Sequence, residues 1–335
     1  MKYRKLGKTD ITTSVVAMGC WALAGGRVWG PQDDDDSIAT VRAALDAGVN
    51  FFDTAEGYGG GDSELVLGRA LEGRRHEAVI ATKISRSHLS ADEVQWACER
   101  SLQRLRTDYV DLYQIHWPSR TVPPEETMEA LEGLREQGKA RAIGVCNFGV
   151  GDLSDLLEIG GGRGAMWVET NQLPYNLLWR AIEYEILPRC IEEDIGVLCY
   201  SPLAQGLLTG KFSSPDEVPE GRARTRHFSG DRPQSRHGEA GCEAETFAAI
   251  EEIRRISDRV GEPMAKVAVA WLLHQPGVAS VLAGARRPEQ IEQTAQAADL
   301  ELSSDVVAEL TRATDEVKRL LGPNPDMWQS ESRFR

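Results

Sequence analysis

The sequence predicts an α/β fold: a single (β/α)8 TIM barrel with an N-terminal β-hairpin, a long loop after the seventh barrel strand, and a C-terminal helix and tail. Three observations predict it. Eight short apolar strand patterns alternate with longer amphipathic helical ones. Gly48, Gly138 and Gly196 lie where a helical pattern yields to a strand, positions at which a positive φ stops a helix. Four residues capable of acid–base chemistry, Asp53, Tyr58, Lys83 and His116, follow three successive strand patterns, the end at which barrels carry their sites.

Residues 2–18 hold two short strand-like stretches around Asp10 and Thr12, a hairpin that runs on into the first core strand. Helix 33–47 opens on Asp33 to Asp36, whose carboxylates suit the free amides and positive end of a helix. Strand 49–54, helix 62–71, strand 78–83, helix 91–105, strand 109–116, helix 125–137 and strand 142–147 follow by the same change of period. A short helix 153–159, strand 166–172, helix 181–193 and strand 197–201 continue it. Residues 201–243 break the rhythm with repeated Gly and Pro and the basic Arg222, Arg224, Arg226 and His227; so long a connection points to a loop that covers a bound molecule. A helical run to Gln275, strand 279–285, helix 288–298 and helix 303–320 complete the barrel, and 322–335 is a tail crossing one face. Residues 1–335 form one domain on this reading.

With 335 residues, 41% of them hydrophobic, the chain can bury a substantial core. Its 38 Lys and Arg against 52 Asp and Glu give a charge of -14, which repels nucleic acid and anionic membrane surfaces, so neither is an expected partner. A phosphate-bearing ligand must then be held by local donors. Charges at Lys2, Arg4, Lys5, Lys8 and Asp10 argue against a secretory leader, and no stretch reaches the roughly 18 apolar residues of a membrane span. The expected location is cytoplasmic. Six cysteines with no CxxC pair read as reduced thiols, and no metal site is expected.

Singly, each of the four residues has an ordinary role: Asp53 caps a turn, Tyr58 is a wall residue, Lys83 neutralises Asp53, His116 satisfies buried backbone. Placed on neighbouring strand ends they fit carbonyl reduction, which needs hydride at carbon and a proton at oxygen. Tyrosine ionises near pH 10, and a Lys83 cation beside it would stabilise the phenolate and make Tyr58 a better proton donor. Asp53 would hold Lys83, and His116 would hydrogen-bond the carbonyl oxygen. Trp21, Tyr58, His116, Trp117 and Phe148 would form the substrate wall.

The stretches NFFDTAEGYGGGDSELVLGRAL (50–71), ATK (81–83) and YQIHWP (113–118) resemble the segments that carry the catalytic Asp, Tyr, Lys and His of the aldo-keto reductase superfamily, over nearly the whole chain. YSPLAQGLLTGKF (200–212) and VLAGARRPEQIEQT (281–294) resemble its cofactor segments, in the bacterial type with a long cofactor-covering loop. The resemblance implies the tetrad Asp53, Tyr58, Lys83 and His116 and an NAD(P)H cofactor, NADPH favoured, lying across the barrel mouth. It places Trp21, Asp53, Cys146, Asn147 and Gln172 near the nicotinamide end, Cys146 standing where Ser is common, with Tyr200 stacked on the ring. Ser201, Leu203, Gln205, Gly206 and Lys211 would hold the pyrophosphate. Gly284, Ala285 and Arg286 would form the turn near the adenosine phosphate, Arg286 taking the 2′-phosphate, and Gln290 and Thr294 would face ribose or adenine. Thr294 replaces a common Asn and Ala283 a common Pro. The expected activity is reduction of an aldehyde or ketone to an alcohol, reversibly on a sugar or polyol. The alternatives are a noncatalytic NADPH-binding, redox-responsive regulatory subunit and a barrel hydrolase using Asp53 and Glu56, whose near adjacency does not give opposed carboxylates. A homo-oligomer stays open.

Overall fold

The computed structural model describes residues 1–161 and 168–335. Tyr3–Lys5 (β1) pairs antiparallel with Thr12–Ser14 (β2). Val16–Gly19 (β3), Phe51–Asp53 (β4), Val79–Ile84 (β5), Val110–Ile115 (β6), Ala140–Cys146 (β7), Thr170–Pro174 (β8), Gly196–Tyr200 (β9) and Val278–Gly284 (β10) then form a closed parallel barrel in chain order. β10 closes it against β3. The predicted strand 166–172 starts outside the described residues, and its described part lies in β8.

The two-residue period of a strand divides the core in two. Ala17, Phe51, Val79, Ala81, Leu112, Ala142, Leu198 and Leu282 pack inside the barrel, whereas their neighbours Phe52, Ile80, Tyr113, Ile143 and Val197 pack outward with the helices. Leu6 and Ile11 of the hairpin belong to the inner cluster and close the end of the barrel where the strands begin. One step along each strand the inward positions turn polar: Asp53, Lys83, Gln114, Cys146 and Gln172. Lys83 pairs with Gln114 and Cys146 with Gln172, and the side chains of Cys146 and Gln172 reach that of Gln114. Gly144 pairs with Gln114 and is glycine where a Cβ would overlap Thr170 Oγ1.

Asp33 caps the helix Asp34–Asp46, accepting from the amides of Asp35 at 2.8 Å and Asp36 at 3.3 Å. Several helices are shorter than their periodicity suggests. The run ending at Gln275 is two helices, Glu243–Val260 and Met264–Leu273, because Gly261 turns at φ 77° and Pro263 follows. The run 303–320 breaks at Thr314 into Ser304–Ala313 and Asp315–Leu321. The run 181–193 starts as a 3-10 turn, Ala181–Glu183, before Ile186–Glu192, and 288–298 is helical only over Pro288–Ala295 before its own 3-10 turn. After Tyr200 the chain makes two short turns, Ala204–Thr209 and Pro215–Glu217, and stays otherwise irregular up to Glu243.

Arg226 joins this segment to the tail, donating to the carbonyls of Leu321 and Asn324 while ion-paired with Glu239. Among the described residues no helix is long and apolar enough to cross a membrane. All six cysteines are buried and free.

Candidate active site

The carboxyl ends of β4, β5 and β6 bring the four predicted residues together. Lys83 Nζ, wholly buried, ion-pairs with Asp53 Oδ1 at 2.5 Å, donates to Thr54 O at 2.7 Å and lies 3.2 Å from Tyr58 Oη. Asp53 Oδ2 accepts from Gln172 Nε2 at 2.7 Å and Gln114 Nε2 at 3.2 Å, so both carboxylate oxygens are satisfied in the barrel's polar layer. The His116 ring meets Tyr58 edge-on at 5.7 Å, and Trp21 stacks on the other side of Tyr58 at 5.9 Å. Trp29 packs edge-on against Trp21 at 5.3 Å.

Burial dominates the electrostatics. It pushes the Tyr58 phenol up to about 12; the Lys83 cation pulls the other way and loses. The easier ionisation expected from Lys83 is therefore not the resting state, in which Tyr58 holds its proton. Burial opposes the charge on Lys83 most strongly, yet Asp53 together with Tyr58 and Cys146 outweighs it and Lys83 is held above its ordinary value. His116 is pushed down to about 3 by burial and then by Lys83, which keeps the imidazole neutral. Its backbone N donates to Ile84 O at 2.9 Å, and its carbonyl accepts from Asn147 Nδ2 at 3.0 Å.

The proposed substrate wall divides. Trp21 flanks Tyr58, but Phe148 is only 4% exposed, packs in the outer core and exchanges backbone bonds with the Asn171 side chain. Trp117 is covered by the tail, with the Arg333 guanidinium 3.9 Å above its ring and Phe334 edge-on at 5.5 Å. Buried Asp326 holds Arg333 at 2.5 Å, and buried Asp152 accepts from Arg120 and from the Arg335 amide.

Among the expected cofactor residues, Asn147 adopts φ 63° and accepts from Tyr200 Oη at 2.9 Å, which fixes the Tyr200 ring. Cys146 Sγ lies 3.6 Å from Gln114 Oε1, and Gln172 spends its amide nitrogen on Asp53. Ser201, Ala204, Gln205 and Gly206 all take positive φ in a tight turn closed on itself by Ala204 N to Ser201 O at 3.0 Å and Gly206 N to Leu203 O at 2.8 Å. Gln205 Nε2 reaches Ser201 Oγ at 3.2 Å, and Leu203 is partly buried in the same turn. Two cations flank it: Lys211 Nζ and Arg222 Nη1 would lie 3.2 and 3.5 Å from a Cβ on Gly206. Burial, and after it the positive Arg222, lower the Lys211 ammonium below its ordinary value. Arg222 was not singled out from the sequence; its signal was the basic run in the long loop. The donor set suits a dinucleotide diphosphate.

At the adenosine end the Arg286 guanidinium donates to Gln32 Oε1 at 2.7 Å, to Trp29 O at 2.8 Å and to Pro31 O, which ties it to residues 29–32. Gln290 Oε1 accepts from the Arg286 amide at 2.8 Å, and Thr294 Oγ1 donates to Gln290 O at 2.8 Å. Gly284 pairs with Gly19 across the barrel seam, and Ala285 beside it is buried.

The chain is similar to known proteins in sequence and in fold. The aldo/keto reductase family model matches residues 15–315. The aldo-keto reductase YhdN of Bacillus subtilis is 35% identical over 91% of this chain and 91% of its own length. The NADH-specific methylglyoxal reductase of Escherichia coli is 35% identical over 93% of this chain and 98% of its own. The crystal structure of an aldo/keto reductase from Klebsiella pneumoniae in complex with NADP and acetate superposes with a TM-score of 0.75 at 29% identity, covering 100% of this chain and 99% of that one. A family model that spans residues 15–315, with relatives 35% identical over more than nine-tenths of the chain, places the chain in the aldo/keto reductase family of oxidoreductases.

Proposed function

We propose that the chain, an NAD(P)H-dependent oxidoreductase that reduces an aldehyde or ketone to an alcohol, does so with Tyr58 as proton donor and NADPH as its favoured cofactor. The single observation that carries this reading is the Lys83 ammonium lying between Asp53 at 2.5 Å and the Tyr58 hydroxyl at 3.2 Å. The bound cofactor supplies hydride to the carbonyl carbon. Tyr58, protonated at rest, gives its proton to the carbonyl oxygen; Lys83 stabilises the phenolate left behind, and Asp53 keeps Lys83 charged and aimed. His116, neutral, donates an N–H to the same oxygen and orients it. Trp21 and Trp117 flank the carbonyl.

Tyr200, Asn147, Cys146 and Gln172 would bound the nicotinamide, and the turn from Ser201 to Gly206 with Lys211 and Arg222 would take the diphosphate. The NADP complex of the Klebsiella pneumoniae relative supports NADPH, while the Escherichia coli relative is named for NADH. That relative's name also supports a small, oxygen-rich carbonyl compound as substrate. We read residues 1–335 as one cytoplasmic domain, with 201–243 covering the cofactor and 322–335 bounding the mouth.

The test is titration of NADPH and NADH by fluorescence, then turnover of a panel of aldehydes, methylglyoxal included, by wild type and Tyr58→Phe. Both proteins should bind cofactor equally, and the variant should lose about 10²- to 10⁴-fold in kcat. Equal turnover by the two would remove Tyr58 from its role; tight binding with no turnover of any carbonyl would favour a regulatory subunit instead.

A further inference from the structure

We infer that Glu56 is the positioning residue that holds Tyr58 against Lys83, an inference that rests on the reading of Tyr58 as proton donor. Among residues 54–61 only Thr54, Glu56 and Tyr58 carry polar side chains. Thr54 Oγ1 is engaged with Ser63 Oγ at 2.9 Å. The three residues after Tyr58 are glycines at φ 61°, 67° and 111°, with no side chain to fix the phenol from that direction. Trp21, His116 and Lys83 meet the phenol itself, and within its own loop the side chain left to anchor the backbone that carries it is that of Glu56.

Glu56 is built for that. Its carboxylate is buried, and Oε1 accepts from the Ser85 amide at 2.7 Å and contacts His88 Nδ1 at 2.9 Å. Its own amide donates to Lys83 O at 3.2 Å. Ser85 and His88 directly follow β5, the strand that ends in Lys83 and Ile84. One side chain thus ties the loop carrying the phenol to the strand carrying the ammonium. The tie is itself backed: Trp96 packs edge-on against His88 at 5.3 Å, and Arg100 lies 4.8 Å over Trp96. Glu56 makes no bond to Tyr58 Oη or Lys83 Nζ, whose partners are Asp53, Thr54 and each other, so it acts through placement and not by touching the reacting atoms.

The test compares Glu56→Ala with Glu56→Gln, whose retained Oε1 can still accept from Ser85. Glu56→Ala should lose about 10- to 100-fold in kcat while KM and the cofactor Kd stay within about threefold, because misplacement of about 1 Å costs that much at a reacting centre. Its kcat–pH profile should shift alkaline, since a phenol farther from Lys83 loses the pull that lowers its ionisation. Glu56→Gln should recover to within about threefold of wild type in both readouts, as positioning requires an acceptor and not a charge. Crystal structures give a measure independent of turnover: the Tyr58 Oη to Lys83 Nζ separation should open beyond about 4 Å in Glu56→Ala, outside hydrogen-bond range, and stay near 3.2 Å in Glu56→Gln. Should Glu56→Ala not fold, His88→Ala, which removes one of the two contacts, should show a smaller kcat loss of the same kind. An unchanged separation and kcat in the Ala variants, or a Gln variant as impaired as Ala, overturns the inference. Full activity of Tyr58→Phe would instead sink the donor reading and leave the crystal separations to judge Glu56 alone.

Discussion

Replacing Lys83 by Met keeps most of the buried volume and removes the charge. Lys83 Nζ lies 3.2 Å from Tyr58 Oη, so at an effective dielectric of about 20 its attraction for a phenolate is about 5 kcal/mol. Asp53 sits behind the ammonium, 2.5 Å from it, and from roughly 6 Å its repulsion of the same phenolate is about 3 kcal/mol. The pair together favours proton release by about 2 kcal/mol, or about 30-fold in rate. What the single variant loses depends on Asp53. If the orphaned carboxylate takes up a proton, the loss is about 30-fold; if it stays ionised, sustained by Gln114 and Gln172, the whole 5 kcal/mol is forfeited, about 10³- to 10⁴-fold. Adding Asp53→Asn should then bring the double variant back toward about a 30-fold loss, faster than Lys83→Met alone. The assay is kcat/KM for one aldehyde at saturating NADPH. Thermal melts come first, because removing one partner of a buried ion pair costs about 3–5 kcal/mol of stability. A single variant within threefold of wild type, or a double variant slower than the single, would refute the electrostatic account.

Two further outcomes concern stability. Burial, aided by Lys83, pushes His116 down to about 3, and burial pushes His227 down to about 4 against the pull of its bond to Leu178 O. A lowered folded value means stability present above the unfolded value of about 6.5 and lost as the pH falls toward the folded values, since the unfolded chain takes up protons first. The urea midpoint should therefore drop between pH 7 and pH 4, and His227→Gln should flatten the drop; an equal slope in that variant would disprove its share. Gly144→Ala should lower stability by about 1–3 kcal/mol through overpacking against Thr170 Oγ1, and adding Thr170→Ala should recover much of it. A melting temperature untouched by Gly144→Ala would contradict the close approach.

The barrel was legible because short apolar strand runs alternate with longer amphipathic helices, and because Asp53, Lys83 and His116 each fall where such a run ends. Tyr58 was legible from its distance beyond Asp53. What burial does to that phenol was not, since the enclosure comes from Trp21, His116 and residues far along the chain. The contacts of Arg286 are hidden for the same reason: its guanidinium is engaged by Trp29, Pro31 and Gln32, more than 250 residues earlier, and nothing local announces them. Phe148 follows the Cys146-Asn147 pair at the mouth, but the φ of 63° at Asn147 redirects the chain and sends its ring into the core. The break at Gly261 had its signal in the Gly-Glu-Pro sequence, outweighed on a first reading by apolar periodicity that runs through it.

The hairpin at the start of the chain leaves one further mark. Leu6 and Ile11 stopper the barrel floor beneath Phe51, Leu112 and Leu198, so nothing can thread through the molecule. Arrival and departure must share a single doorway. The tail laid across Trp117, which follows the last residue of β6 by two, lies at the strand end opposite that floor.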